Sequence, residues 1–186
     1  MQALGAAFDD HPGLEGLAVQ ETALGLTADH LSANGYTPEK YRDAQIQLLS
    51  TMKAALPHAQ VFWYMNFLTG HQSYLGDIAA AVGPLGVSMG GPDILPENYA
   101  LLTHTYPLYE QFAGTMQLFC SAQYDSYEHV NSATGEFYTP EEIFEYGRDA
   151  LGVSYVMWNR KTWTSPADSY NWLDALPVIE QNPTFD

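Results

Sequence analysis

"VFWYMNF", Val61 to Phe67, is an apolar run of strand length interrupted only by Asn66 near its end. A strand with one wet face alternates polar and apolar residues, whereas a strand covered on both faces reads as a continuous run. The run therefore predicts a strand buried between helices, as in parallel sheets. Its flanks agree. Upstream, Thr37-Pro38-Glu39 has a capping residue followed by proline at the first helical position. Tyr41, Leu48, Leu49, Met52, Ala55 and Leu56 then recur on one helical face until Pro57. Downstream, Leu75, Ile78, Ala79 and Val82 form a second stripe that stops at Gly83-Pro84.

The same unit repeats on either side. Leu14 to Gln20 is a strand before the first helix. "LGVSM" (85–89) is a third strand, followed by the loop "GGPDILPEN" (90–98) and a brief helix over Tyr106 to Phe112. "MQLFCSAQY" (116–124) leads through a long polar loop to "TPEE" (139–142), where Thr139 and Glu142 have the spacing of a capping box. "GVSYVMW" (152–158) precedes a last helix expected from Ser165-Pro166, with Trp172, Leu173, Leu176 and Ile179 apolar. Five strand-then-helix units predict an α/β protein with parallel strands, read as a single domain over 1–186.

The composition narrows the function. Six Lys and Arg stand against 22 Asp and Glu, a formal net charge of −16, which repels phosphate backbones and anionic membrane surfaces, so neither nucleic-acid nor membrane partners are expected. No apolar run approaches the roughly 18 residues of a membrane span, and no basic region precedes an apolar core at the N-terminus, so neither a transmembrane segment nor a signal peptide is expected. The compartment is left open. The single cysteine, Cys120, lies in an apolar run and reads as a buried, inert thiol. The six histidines include no pair at three- or four-residue helical spacing, and no zinc-type spacing exists. Neither metal nor cofactor is expected. "GVSMGG" places Ser88 one residue out of the nucleophile-elbow pattern.

Polar groups gather after each strand: Glu21 and Thr22; Asn66, Thr69 and His71; Asp93; Ser121, Gln123 and Asp125; Trp158, Asn159 and Arg160. In parallel α/β folds ligands bind outside the carboxyl ends of the strands. Aromatic rings cluster there too (Trp63, Tyr64, Tyr124, Tyr127, Trp158, Trp163), and flat apolar faces beside carboxylates and amides suit a sugar ring. Glycosidic cleavage needs two carboxyl groups roughly 5 to 9.5 Å apart, and Glu21, Asp93, Asp125 and Glu128 are the candidates.

"GLAVQETAL" (16–24) resembles the fourth strand of a clan A glycoside hydrolase barrel, where an Asn-Glu pair carries the general acid/base, and "VSYVMWNR" (153–160) resembles the eighth, where a tryptophan floors the sugar subsite. The resemblance implies strands four to eight of a partial or truncated TIM-type (β/α)8 barrel, with Glu21 as acid/base and Trp158 as a stacking platform. An open doubly wound sheet is the alternative fold. Gln20 stands where those enzymes carry asparagine. The strand expected to deliver the nucleophile has Gln123 near that place, with Asp125 and then Glu128 beyond it. A complete barrel takes about 250 residues, so either association with a second copy through the incomplete barrel or a fragment of a longer parent is expected.

The function expected is hydrolysis of a neutral polysaccharide such as a β-glucan. Glu21 protonates the leaving oxygen, and Asp125 or Glu128 attacks or activates water. Trp63 and Trp158 stack the rings, and Gln20, Asn66, His71, Asp93, Gln123 and Asn159 bind substrate. The alternative is a non-catalytic carbohydrate-binding or structural domain derived from such a barrel.

Overall fold

The structure, a computed structural model, describes residues 1–19, 21–68 and 71–183. Five strands, β1 (Gly16–Val19), β2 (Gln60–Tyr64), β3 (Val87–Asp93), β4 (Leu118–Ala122) and β5 (Tyr155–Trp158), lie in one sheet in the order of the sequence. β1 with β2, β2 with β3, and β4 with β5 are parallel pairs. Helices connect them, so the architecture is α/β with a parallel sheet, as the strand runs predict.

The chain forms two compact units, Met1–Gly90 with Gly114–Gln117, and Gly91–Ala113 with Leu118–Asp186. In the first unit α1 (Gln2–Phe8) precedes β1, and α2 (Ala28–Ala33) and α3 (Pro38–Ala55) lie between β1 and β2. The Thr37 hydroxyl accepts from Lys40 N–H at 3.2 Å, with Pro38 next to it, as the Thr-Pro-Glu pattern requires. At the other end Lys53 Nζ donates to Pro57 O and Ala59 O, at 3.3 and 3.2 Å. Its charge sits where the helix exposes its carbonyls, the end that favours a cation. Leu49 and Met52 of α3 are buried, as are Leu75, Ile78, Ala79 and Val82 of α4 (Ser73–Val82), together with Val61, Phe62 and Trp63 of β2. Ser88 is also buried here. It accepts from Gln60 Nε2 at 2.5 Å and donates to Gln117 Oε1 at 3.1 Å, a structural use of that hydroxyl.

The second unit holds β4 and β5 with α5 (Tyr99–His104), α6 (Tyr106–Phe112), α7 (Tyr124–Tyr127), α8 (Pro140–Glu145) and α9 (Trp172–Gln181). All five residues of β4 are buried, and α8 starts with the reciprocal Thr139–Glu142 capping box.

The strand ends shift by a few residues from the sequence expectation, and the two largest differences are at β3 and the last helix. β3 does not end at Met89 but continues through Asp93, because the backbone of "GGPD" has partners. Met65 N–H donates to Gly90 O at 2.6 Å, and Gly91 N–H donates to the Tyr109 hydroxyl at 2.5 Å. The last helix starts not at Ser165-Pro166 but at Trp172. Asp168 has a left-handed φ of 68°, which a helix does not admit, and the Asn171 side chain accepts from Leu173 N–H at 2.8 Å, capping the helix there.

Tyr109 is a hub of the second unit. Fully buried, it accepts from Gly91 N–H, donates to Phe119 O at 2.9 Å and lies 3.1 Å from Cys120 Sγ. Tyr109→Phe keeps the ring but removes the buried hydroxyl that Gly91 N–H and Phe119 O engage. The expected result is a loss of about 2 kcal/mol in urea-unfolding free energy, with far-UV circular dichroism unchanged at zero denaturant.

Candidate functional site

In the first unit the polar groups after β1 and β2 form one connected set. Thr22 has no exposed surface, and its hydroxyl accepts from Asn66 N–H at 2.8 Å. The Asn66 side-chain oxygen accepts from Phe67 N–H at 2.8 Å, which leaves the amide nitrogen to donate. It donates to Glu21 Oε2 at 2.7 Å. Tyr41 of α3 adds a hydroxyl bond to Thr22 O at 3.1 Å. Glu21 is exposed, so a solvent-facing carboxylate is held in a set orientation by an amide whose own orientation is fixed by backbone. Beside this set lies a pocket of about 560 Å³, lined by Thr22, Leu24, Leu26, Tyr36, Phe67, His71 and neighbours, mostly apolar. The His71 ring stacks on Tyr74, with centroids 5.6 Å apart. Gln20 and Thr69 lie outside the described residues.

Trp63 is the correction among the ring-stacking candidates. Its side chain has no exposed surface, and its indole nitrogen is buried without a hydrogen-bond partner among the described residues. A ring with no accessible face cannot stack on a sugar, and it is core instead.

In the second unit the ends of β4 and β5 carry a second set. Gln123 caps the short helix α7, in a reciprocal box with Ser126. Asp125 is exposed in the first turn of α7. Glu128 follows that helix and lies 2.9 Å from Lys161 Nζ. Lys161 is fully buried, and its ammonium also donates to the Ser169 hydroxyl at 2.9 Å and to Tyr170 O at 3.0 Å. Three acceptors thus match its three protons. The Tyr127 hydroxyl donates to Asn159 O at 3.0 Å, and its ring lies 6.2 Å from that of half-buried Trp158. Asp93, at the end of β3, is partly exposed, and its carbonyl accepts from the Tyr106 hydroxyl at 2.9 Å.

Two exposed rings stand out here. Tyr124 and Trp163, 41% and 47% exposed, have centroids 4.9 Å apart at an interplanar angle of 48°. Sequence reading places both near the strand ends. Their pairing depends on the course of the chain after β5, which Lys161 anchors.

Two ionisable clusters were not legible in the sequence. Lys161 follows Arg160 after the last strand, where the sequence offers pairing with local acids but no sign of burial, yet it is the best-buried cation of the chain among the described residues. Asp9, Asp10 and His58 bring three metal-capable side chains together in the first unit, from positions 48 and 49 residues apart. Among the described residues, no helix is long and apolar enough to cross a membrane.

No family model matches the chain, and no curated protein and no solved structure matches it either.

Proposed function

We propose that the chain is a barrel-type glycoside hydrolase domain acting on a neutral polysaccharide such as a β-glucan, with Glu21 as general acid/base. The observation that carries the reading is the exposed Glu21 carboxylate, gripped at 2.7 Å by an oriented Asn66 amide at the carboxyl ends of parallel strands. A carboxyl group that must present one oxygen to a glycosidic bond benefits from such positioning.

The strand order supports the barrel side of the fold. A doubly wound sheet reverses its strand order at a switch point, whereas β1 to β5 run sequentially, as successive strands do in a (β/α)8 barrel. The resemblance of Gly16 to Leu24 and Val153 to Arg160 to the clan A glycosidases belongs to this proposal. So does association with a second copy through the edge strands β1 and β5, whose residues are only partly covered, since an open parallel edge favours a partner.

The second carboxylate is assigned to Asp125. Glu128 is committed to Lys161, and Asp93 is the remaining candidate. Trp158, with the exposed Tyr124–Trp163 pair, supplies the apolar faces for the sugar in place of Trp63.

The test is reducing-sugar release from soluble glucans, xylans and mannans by wild type, Glu21→Gln and Asp125→Asn, each with a matched unfolding curve. The expected result is turnover of one polymer, lowered by roughly a hundredfold or more in either variant, the size of a lost acid/base or nucleophile. Equal turnover by wild type and Glu21→Gln removes Glu21 from the mechanism. A wild type that binds an oligosaccharide without cleaving it establishes the non-catalytic binding domain instead.

A further inference from the structure

Where α1 ends, side chains from two distant segments meet at a single nitrogen. Asp9 directly follows α1, Asp10 comes next, and His58 lies in the turn between α3 and β2. His58 Nδ1 is 2.6 Å from Asp10 Oδ1 and 3.1 Å from Asp9 Oδ2. One ligand atom from each of the three residues lies within 4.8 Å of the others.

Two properties distinguish this group from a chance surface ion pair. The Asp9 side chain is only 10% exposed. Its carboxylate is held by backbone, with Oδ1 accepting from His58 N–H at 3.1 Å and Ala59 N–H at 2.9 Å. Oδ2 faces the imidazole and also accepts from His58 N–H, at 3.3 Å. Moreover, two carboxylate oxygens from different residues converge on one ring nitrogen, which can carry a single proton. A proton serves one of them fully, whereas a divalent cation can take all three groups as ligands. The two carboxylates also line a concavity of about 500 Å³, with His11, Pro12 and Pro57.

We propose that Asp9, Asp10 and His58 bind a divalent transition-metal ion of the zinc class. One imidazole nitrogen with two carboxylates is a borderline donor set. It suits Zn²⁺, Co²⁺ or Ni²⁺ better than Mg²⁺ or Ca²⁺, which select all-oxygen sites. Two carboxylates and a neutral imidazole bring a charge of −2 to the ion, and three protein ligands leave coordination positions for water. Bound metal clips the end of α1 to the turn that starts β2, stabilising the first unit by mass action. The site is separate from Glu21 and does not depend on the glycosidase reading.

The test is calorimetric titration of the whole chain with Zn²⁺ in excess Mg²⁺, which occupies the diffuse acidic surface. One saturable Zn²⁺ site is expected. His58→Gln and Asp10→Asn should each weaken it by roughly tenfold or more, as loss of a ligand does. Asp29→Asn, an exposed acid elsewhere, should leave it unchanged. In wild type the His58 imidazole resonances should move before those of the other histidines, a readout that needs no variant to fold. Absence of saturable binding, equal affinity in His58→Gln, or earlier movement of another histidine overturns the proposal.

Discussion

Lys161→Met lowers the unfolding free energy by about 3 kcal/mol, read as a drop in the urea midpoint at neutral pH. Methionine fills much the same volume but gives nothing to the Glu128 carboxylate, the Ser169 hydroxyl or Tyr170 O, all of which Lys161 Nζ contacts within 3.0 Å. Removing one partner of a buried pair costs about 3 to 5 kcal/mol. The low end applies because Glu128 keeps 29% of its side-chain surface exposed and can be rehydrated in part. Lys161→Met with Glu128→Gln should recover some of the loss, since no charge is then left unpaired. A double variant as unstable as the single one would mean that Ser169 and Tyr170 dominate. A midpoint unmoved by Lys161→Met would mean that the pair contributes nothing. The same variants bear on catalysis. If Glu128 is structural, as its pairing argues, Glu128→Gln retains turnover wherever the protein remains folded.

The Cys120 thiol is alkylated roughly a thousandfold more slowly in the folded protein than in urea at pH 8. Burial pushes the thiol up to about 12, whereas an unfolded cysteine titrates near ~8.5. The thiolate is the reacting species, and at pH 8 the folded state holds about one part in ten thousand of it. Iodoacetamide labelling with and without denaturant measures the ratio. Comparable rates would mean that Cys120 opens to solvent far below global unfolding. The same shift sets a sign for stability. Below the unfolded pKa both states hold the proton and the contribution is complete. As pH rises from ~8.5 towards about 12 the unfolded chain releases its proton while the folded one keeps it, so stability falls. Burial also holds Tyr106 and Tyr109 above the ordinary tyrosine range, Tyr109 well above it, and both add to the loss from about pH 10. Urea midpoints at pH 7, 9 and 10.5 should decline in that order.

Short-range physics made several elements readable from the residues. Thr37-Pro38 and the stripe through Leu49 and Met52 gave α3, Thr139 with Glu142 gave the start of α8, and the unbroken apolar run at Val61 gave β2. In each case cap, period or burial is decided within a few residues of chain. The short helices α1, α2, α5 and α7 were not anticipated. Each has seven residues or fewer, too short for an apolar stripe to repeat.

The site divides in the same way. That Glu21 follows a strand and that Asn66 follows its neighbour was legible, because parallel strands end together. That Asn66 grips Glu21, that Lys161 is buried against Glu128, that Trp63 is sealed in the core, and that His58 meets two aspartates was not.

The sequence by itself determined the strand-and-helix alternation, the acidic surface and the residue types offered at the strand ends, since these follow from local period, composition and capping. Tertiary structure alone decided which of those residues hold one another and which face solvent. A hydrogen bond or ion pair between positions tens of residues apart exists only once the intervening chain has closed, and burial depends on what that closure brings alongside.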